Sequence, residues 1–201
     1  MVDSIRYGEF KPIGKQKKKS QIILLHSSRN IQSYLLSLKF RLNGKYGKIP
    51  NYVITKDGKI LQLLKNEEYS STFSNPNINK HSIIIVLENL GWLQKEPLKD
   101  YYVNWIGDIY KGKVFEKKWR DYFFWDPYTE EQLVSTVILV KNLMKEMKIE
   151  PNVVGHNTKI NGVEKYEGVV TRSNFNSDYT DLSPAFDFED FLNKINDEQF
   201  T

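Results

Sequence analysis

"QIILLHSS" (21–28) is a nearly continuous apolar run that stops at a histidine. A run of this length reads as a strand buried on both faces, with His26 marking where its C-terminal end reaches a surface. Working outward, "RNIQSYLLSLKFRL" (29–42) places Ile31, Tyr34, Leu35, Leu38 and Leu42 at helical spacing, and Gly44 and Gly47 end it. "NYVITKDGKILQLL" (51–64) reads as a hairpin about the Asp57-Gly58 turn. "HSIIIVLENLGW" (81–92) is a second buried strand, with Glu88 near its far end.

Residues 93–128 read as an aromatic, loop-like insertion flanked or carried by Trp92, Trp105, Trp119 and Trp125. Connections this long usually serve function or pack as a lid. Flat aromatic faces stack on sugar rings, but they pack equally well inside a protein, which is the plainer reading. The next helix has a clear start at Asp126-Pro127-Tyr128-Thr129-Glu130-Glu131, and Leu133, Val137, Val140, Leu143 and Met144 continue its apolar face. "NVVGH" (152–156) is predicted as a third strand, residues 157–180 as a looser stretch, and "YTDLSPAFDFEDFLNKI" (179–195) as a turn and closing helix. The expected fold class is α/β, a single domain with a mixed central β-sheet flanked by α-helices.

Composition agrees with one soluble, folded domain. Of 201 residues, 40% are apolar and 27% charged, so a disordered chain is excluded. The net charge of +4 is modest, but "KPIGKQKKKS" (11–20) holds five lysines. Residues 1–20 are therefore expected to form a basic, solvated arm ahead of a domain over 21–201, with adhesion to anionic polymers as the alternative. Without cysteine there is no disulfide or thiolate chemistry, and any metal must be held by His, Asp or Glu. No secretory signal or membrane-spanning run is evident, so the expectation is a protein made in a cytoplasm and released or carried by other means.

His26 and His156 each follow an apolar run, and neighbouring strands would bring both imidazoles to one sheet edge. A catalytic zinc needs three protein ligands and an open position for water, whose pKa the metal lowers. Asp181, Asp178, Glu88 and Asp187 are candidate carboxylates, and spacing does not choose among them. A satisfied polar residue at a strand end is the plainer reading of either histidine alone. His81 and Tyr52 are read as structural.

The order of elements resembles the type-2 N-acetylmuramoyl-L-alanine amidases, the zinc fold of phage lysozyme-amidases and peptidoglycan recognition proteins. The matching segments are "IILLHSS", the hairpin "IPNYVITKDGKILQLL" (49–64), "HSIIIVLENLG" (81–91), "YTEEQLVSTVILVKNLMKEMKIEPNVVGHN" (128–157) and "DLSPAFDF" (181–188). The resemblance implies zinc as cofactor, with His26, His156 and Asp181 as ligands at the sheet edge. It implies peptidoglycan as substrate, cut at the amide between the muramic acid lactyl group and L-alanine. A phage or prophage protein, endolysin-type or associated with virion proteins, and acting on the cell wall, suits that reading. Nucleic acid is not expected as a partner.

Departures from the family pattern matter. Val86 stands where active members often carry a glutamate base; Glu88, two residues on, points to the same face of a strand and is the substitute candidate. Pro50 and Tyr179 replace a tyrosine and a lysine of other members, and Tyr179 is the candidate oxyanion donor. The interval from His156 to Asp181 exceeds the family's, and Arg172 within it has the donor fork to bind a substrate carboxylate, although an exposed loop arginine is commoner. The alternative from a different class is an inactive amidase-fold protein that binds peptidoglycan or serves as a virion component.

Overall fold

The computed structural model describes residues 4–200. In chain order it forms β1 (Ser4–Arg6), β2 (Gly14–Lys15), β3 (Gln21–His26), α1 (Ile31–Phe40), β4 (Tyr52–Ile54), β5 (Ile60–Gln62), β6 (Glu68–Tyr69), α2 (Pro76–His81) and β7 (Ser82–Leu87). β8 (Trp92–Lys95), β9 (Tyr102–Val103), β10 (Ile109–Tyr110), β11 (Phe115–Trp119) and β12 (Tyr122–Trp125) follow, then α3 (Glu130–Met147), β13 (Gly168–Thr171) and α4 (Phe188–Asn196). The central sheet has the order β1-β5-β4-β7-β3-β13, with only the β4–β5 hairpin pair antiparallel.

Every residue of β3 and β7 is buried, because the pleat sends alternate side chains into two different cores. Ile22, Leu24, Ile83, Ile85 and Leu87 meet Val137, Val140 and Leu143 of α3 and Phe191 of α4. Ile23, Leu25, Ile84 and Val86 meet Leu35 and Leu38 of α1. Each such aliphatic side chain contributes about 1.5–3 kcal/mol by leaving water. Thr129 caps α3 by accepting the Gln132 N–H, and Glu130 and Glu131 favour its positive end. Asn30 caps α1 by accepting the Ser33 N–H at 2.9 Å.

Three expectations need correction. Residues 4–20 are not wholly free: most of 4–18 face solvent, but β1 lies parallel to β5, β2 pairs with β6, and Lys19 is 1% exposed with Nζ donating to the Lys80 carbonyl at 2.9 Å. Residues 1–3 of that arm lie outside the described residues. The aromatic insertion is an antiparallel sheet of order β10-β9-β8-β12-β11, in which Trp92 stacks on Tyr122 and Trp125 is fully buried. Finally, the strand beside β3 is β13, not "NVVGH". Val153 bridges to Val169 on the outer side of β13, one strand further from β3. Among the described residues, no helix is long and apolar enough to cross a membrane.

Candidate functional site

Parallel strands β3 and β13 end side by side, Leu24 opposite Thr171, so the residues that follow them emerge at one edge. His26 is the last residue of β3 and is buried. Its N–H donates to Asp181 Oδ2 at 3.2 Å, and its Nδ1 lies 3.1 Å from the Tyr128 hydroxyl. Asp181 has no exposed surface, and its Oδ1 accepts from Arg172 Nε at 2.9 Å. Arg172 is the first residue after β13.

The loop carrying Asp181 is held by local chemistry. A 3₁₀ turn over Arg172–Asn174 has Thr171 and Asn174 capping one another's backbone. The Ser173 N–H and hydroxyl both donate to the Asp181 carbonyl, at 2.8 and 2.5 Å. The Arg172 guanidinium lies 4.5 Å from the centre of the Tyr179 ring, and Arg120 of the inserted sheet binds the Tyr179 carbonyl. Of the residues expected at the site, His26, Asp181 and Tyr179 therefore come together, and Arg172 joins them.

His156 does not. It is exposed, its Nδ1 lies 2.9 Å from the Thr158 hydroxyl, and its carbonyl accepts from Asn174. Gly155 before it serves packing: its φ is +71°, and a Cβ there would stand 2.8 Å from Leu192 of α4. Glu88 is also engaged elsewhere. Oε1 accepts the Ile31 N–H at the start of α1 (2.8 Å), and Oε2 accepts the Lys56 N–H in the hairpin turn (2.9 Å). Asp178 and Asp187 are used locally, Asp178 with Asn176 and Asp187 as the N-cap of α4.

Burial pushes His26 down to about 4, Arg172 and Lys56 add to the shift, and Asp181 opposes it. The ring is thus a neutral imidazole at physiological pH. Burial works against the Arg172 charge, but the Asp181 carboxylate outweighs it and raises the guanidinium pKa. Burial also raises the Tyr128 phenol, which stays protonated.

A cavity of about 200 Å³ opens here, lined by His26, Arg29, Tyr34, Arg41, Lys48 and Arg172 among others, and no carboxylate lines it. Three of its guanidinium groups lie over aromatic rings: Arg29 over Trp105 at 5.1 Å, Arg41 over Tyr46 at 4.8 Å, and Arg172 over Tyr179. Trp105 is itself fixed by its Nε1 donating to the Ser28 carbonyl at 3.0 Å. Larger cavities, of about 500 and 400 Å³, lie at Tyr52 and Glu146 and at Phe115 and Pro184, away from His26. The small cationic one is where the chemistry converges.

These residues do not fit the zinc site that the resemblance implies. Among the described residues, no three His, Cys, Asp or Glu side chains gather as metal ligands would. One Asp181 oxygen accepts from a guanidinium and the other from a backbone N–H, so both are engaged within the chain. A fixed positive charge beside Asp181 also opposes a divalent cation there.

Local sequence carries a signal for part of this site. "GVVT" (168–171) is a short β-branched run bounded by a glycine, which marks the strand that delivers Arg172. Tyr128 has no such signal, because its hydroxyl reaches His26 from 102 positions away.

A family model described as N-acetylmuramoyl-L-alanine amidase matches residues 16–168. The fold is similar to that of the N-acetylmuramoyl-L-alanine amidase LysC from Clostridium intestinale URNW, at 15% identity and a TM-score of 0.58, covering 98% of this chain and 99% of that one. It is also similar to the E. coli amidase AmiD in complex with the substrate anhydro-N-acetylmuramic acid-L-Ala-D-gamma-Glu-L-Lys, at 16% identity and a TM-score of 0.54, covering 96% of this chain and 62% of that one. The ectodomain of the Drosophila transmembrane receptor PGRP-LCa aligns at 14% identity and a TM-score of 0.54, covering 94% and 92%. No curated protein sequence matches the chain. At such identities the structures speak for the fold, but the family model spans well over half the sequence, and the chain belongs to the N-acetylmuramoyl-L-alanine amidase family.

Proposed function

We propose that this protein recognises the peptide-bearing part of peptidoglycan and holds it without zinc-dependent hydrolysis. The observation that carries this is the cationic cavity itself, lined by four basic side chains, of which Arg172 is paired with Asp181 behind it. A muramyl peptide presents carboxylates and an extended amide backbone. Guanidinium forks bind carboxylates in pairs, and stacking on Trp105, Tyr46 and Tyr179 pre-orients three of them. Family membership and the substrate-bound AmiD support the choice of ligand class. The protein would act at the cell wall, as an endolysin relative or as part of a phage particle.

A second reading keeps the family's reaction, hydrolysis of the bond between muramic acid and L-alanine. In its favour, His26 and Asp181, two of the three expected metal ligands, lie side by side. One experiment separates the readings: purified peptidoglycan is incubated with zinc-supplemented protein, and both fractions are followed. Sedimentation of the protein with the wall, without free stem peptides by mass spectrometry, is expected. Stem peptides beginning in L-alanine, lost on chelation, would establish the hydrolase; neither binding nor release would refute both.

A further inference from the structure

We infer that Arg172 has taken over the cation's place at this edge of the sheet, so that a guanidinium, rather than a metal ion, neutralises and positions Asp181. Four observations support this. β13 is the strand that borders β3, with Thr171 opposite Leu24, and Arg172 is the residue that follows it, at the end of β3 where His26 stands. Arg172 Nε meets Asp181 Oδ1 at 2.9 Å, and Asp181 has no exposed surface on which water could compensate its charge. Arg172 is itself held, over the Tyr179 ring, by the same loop that carries Asp181. The histidine expected to complete a metal site, His156, is exposed, with its ring bonded to Thr158, and joins no group of three possible ligands among the described residues.

The exchange makes chemical sense as one step. A buried carboxylate needs a positive partner, and either a divalent ion or a guanidinium provides it. The ion needs a further lone-pair donor, whereas the guanidinium is a covalent part of the chain and needs none. Arg172 also lines the 200 Å³ cavity, so the ion pair with Asp181 stands in its wall. This inference stands apart from the muramyl-peptide reading: metal titration tests the first, and ligand binding the second.

The test is zinc uptake by the full chain, read by isothermal titration and by metal content after dialysis. Wild-type protein should retain well under about a tenth of an equivalent, and His156→Ala should not change this. Arg172→His should take up about one equivalent, and a further Asp181→Asn should remove it. A zinc-dependent rise in melting temperature should accompany uptake in Arg172→His and be absent in wild type. One equivalent in the wild type, lost on His156→Ala or His26→Ala, overturns the inference. So does a folded Arg172→His variant that binds no more zinc than wild type. If that variant does not fold, the wild-type and His156→Ala titrations still decide whether the native edge holds a metal.

Discussion

Arg172 Nε and Asp181 Oδ1 lie 2.9 Å apart, with the carboxylate side chain fully buried and the arginine keeping 28% of its side-chain surface. Such a pair need not add net stability over an apolar replacement, but removing one partner strands the other. Arg172→Met should therefore lower the unfolding free energy by about 3 kcal/mol, seen as a lower urea midpoint. Adding Asp181→Asn, which removes the stranded charge but keeps an acceptor for the His26 N–H, should recover a good part of that loss. An Arg172→Met midpoint indistinguishable from wild type would show that the pair is not formed in solution.

Glu88 is a structural clamp in this fold. Its two oxygens accept the first free N–H of α1 and the N–H of Lys56, tying a helix start and a hairpin turn to the end of β7. In Glu88→Gln one oxygen becomes an NH₂ that faces an N–H, and the charge at the helix N-terminus is lost. The expected cost is about 2 kcal/mol of stability. The variant's binding to peptidoglycan, measured well below its melting temperature, should remain close to wild type. A variant of unchanged stability that releases no product where the wild type does would return Glu88 to the role of base.

The central architecture was legible because its signals are local. β3 and β7 announce themselves as apolar runs, α3 by its cap and periodicity, and the β4–β5 hairpin by Asp57-Gly58. The resemblance groups His26 with Asp181, and the Asp181 carboxylate accepts the His26 backbone N–H. What sequence did not disclose is long-range pairing. "NVVGH" and "GVVT" look alike as short apolar runs, yet only the second borders β3, and no local feature encodes that choice. The lysine-rich start misled for a related reason. Lys19 is buried because a backbone carbonyl 61 residues away accepts its ammonium, a partner invisible in the run itself. In the inserted sheet, β11 and β12 are joined by the two residues Arg120-Asp121, which carry no Asn-Gly or Asp-Gly signal, so these strands read as loop.

Gly168 opens β13 with φ +129°, where a Cβ would stand 2.2 Å from the Asn152 carbonyl oxygen. Both atoms belong to backbone that pairs across the outer edge, since the Val169 N–H donates to that same carbonyl at 2.7 Å. Neither can retreat without breaking the pairing, so Gly168→Ala should cost more than an ordinary strand substitution, about 3 kcal/mol or more. Hydrogen exchange should then speed up selectively at the Val169 and Val154 amides while those of β7 stay protected. Unchanged protection at both amides would refute this account of the edge.

Lys19 supplies a pH dependence well away from the candidate site. Burial pushes its ammonium down to about 8 from an ordinary 10.5, with Glu67 opposing the shift. Between these values the unfolded chain binds the proton more tightly than the folded one does. Unfolding free energy must therefore rise with pH across that window, and the full penalty of the buried charge applies below about 8. The rise should amount to about 1–2 kcal/mol between pH 7.5 and 9.5. Above that range the buried phenols of Tyr34 and Tyr128, held protonated by burial, reverse the slope as the unfolded chain's tyrosines ionise. Urea denaturation of wild type and Lys19→Met across this interval checks the assignment. The slope should be present in the first and largely absent in the second, because Met keeps the buried volume without the proton. An equal slope in both would mean that another group titrates there and that the Lys19 ammonium is solvated after all.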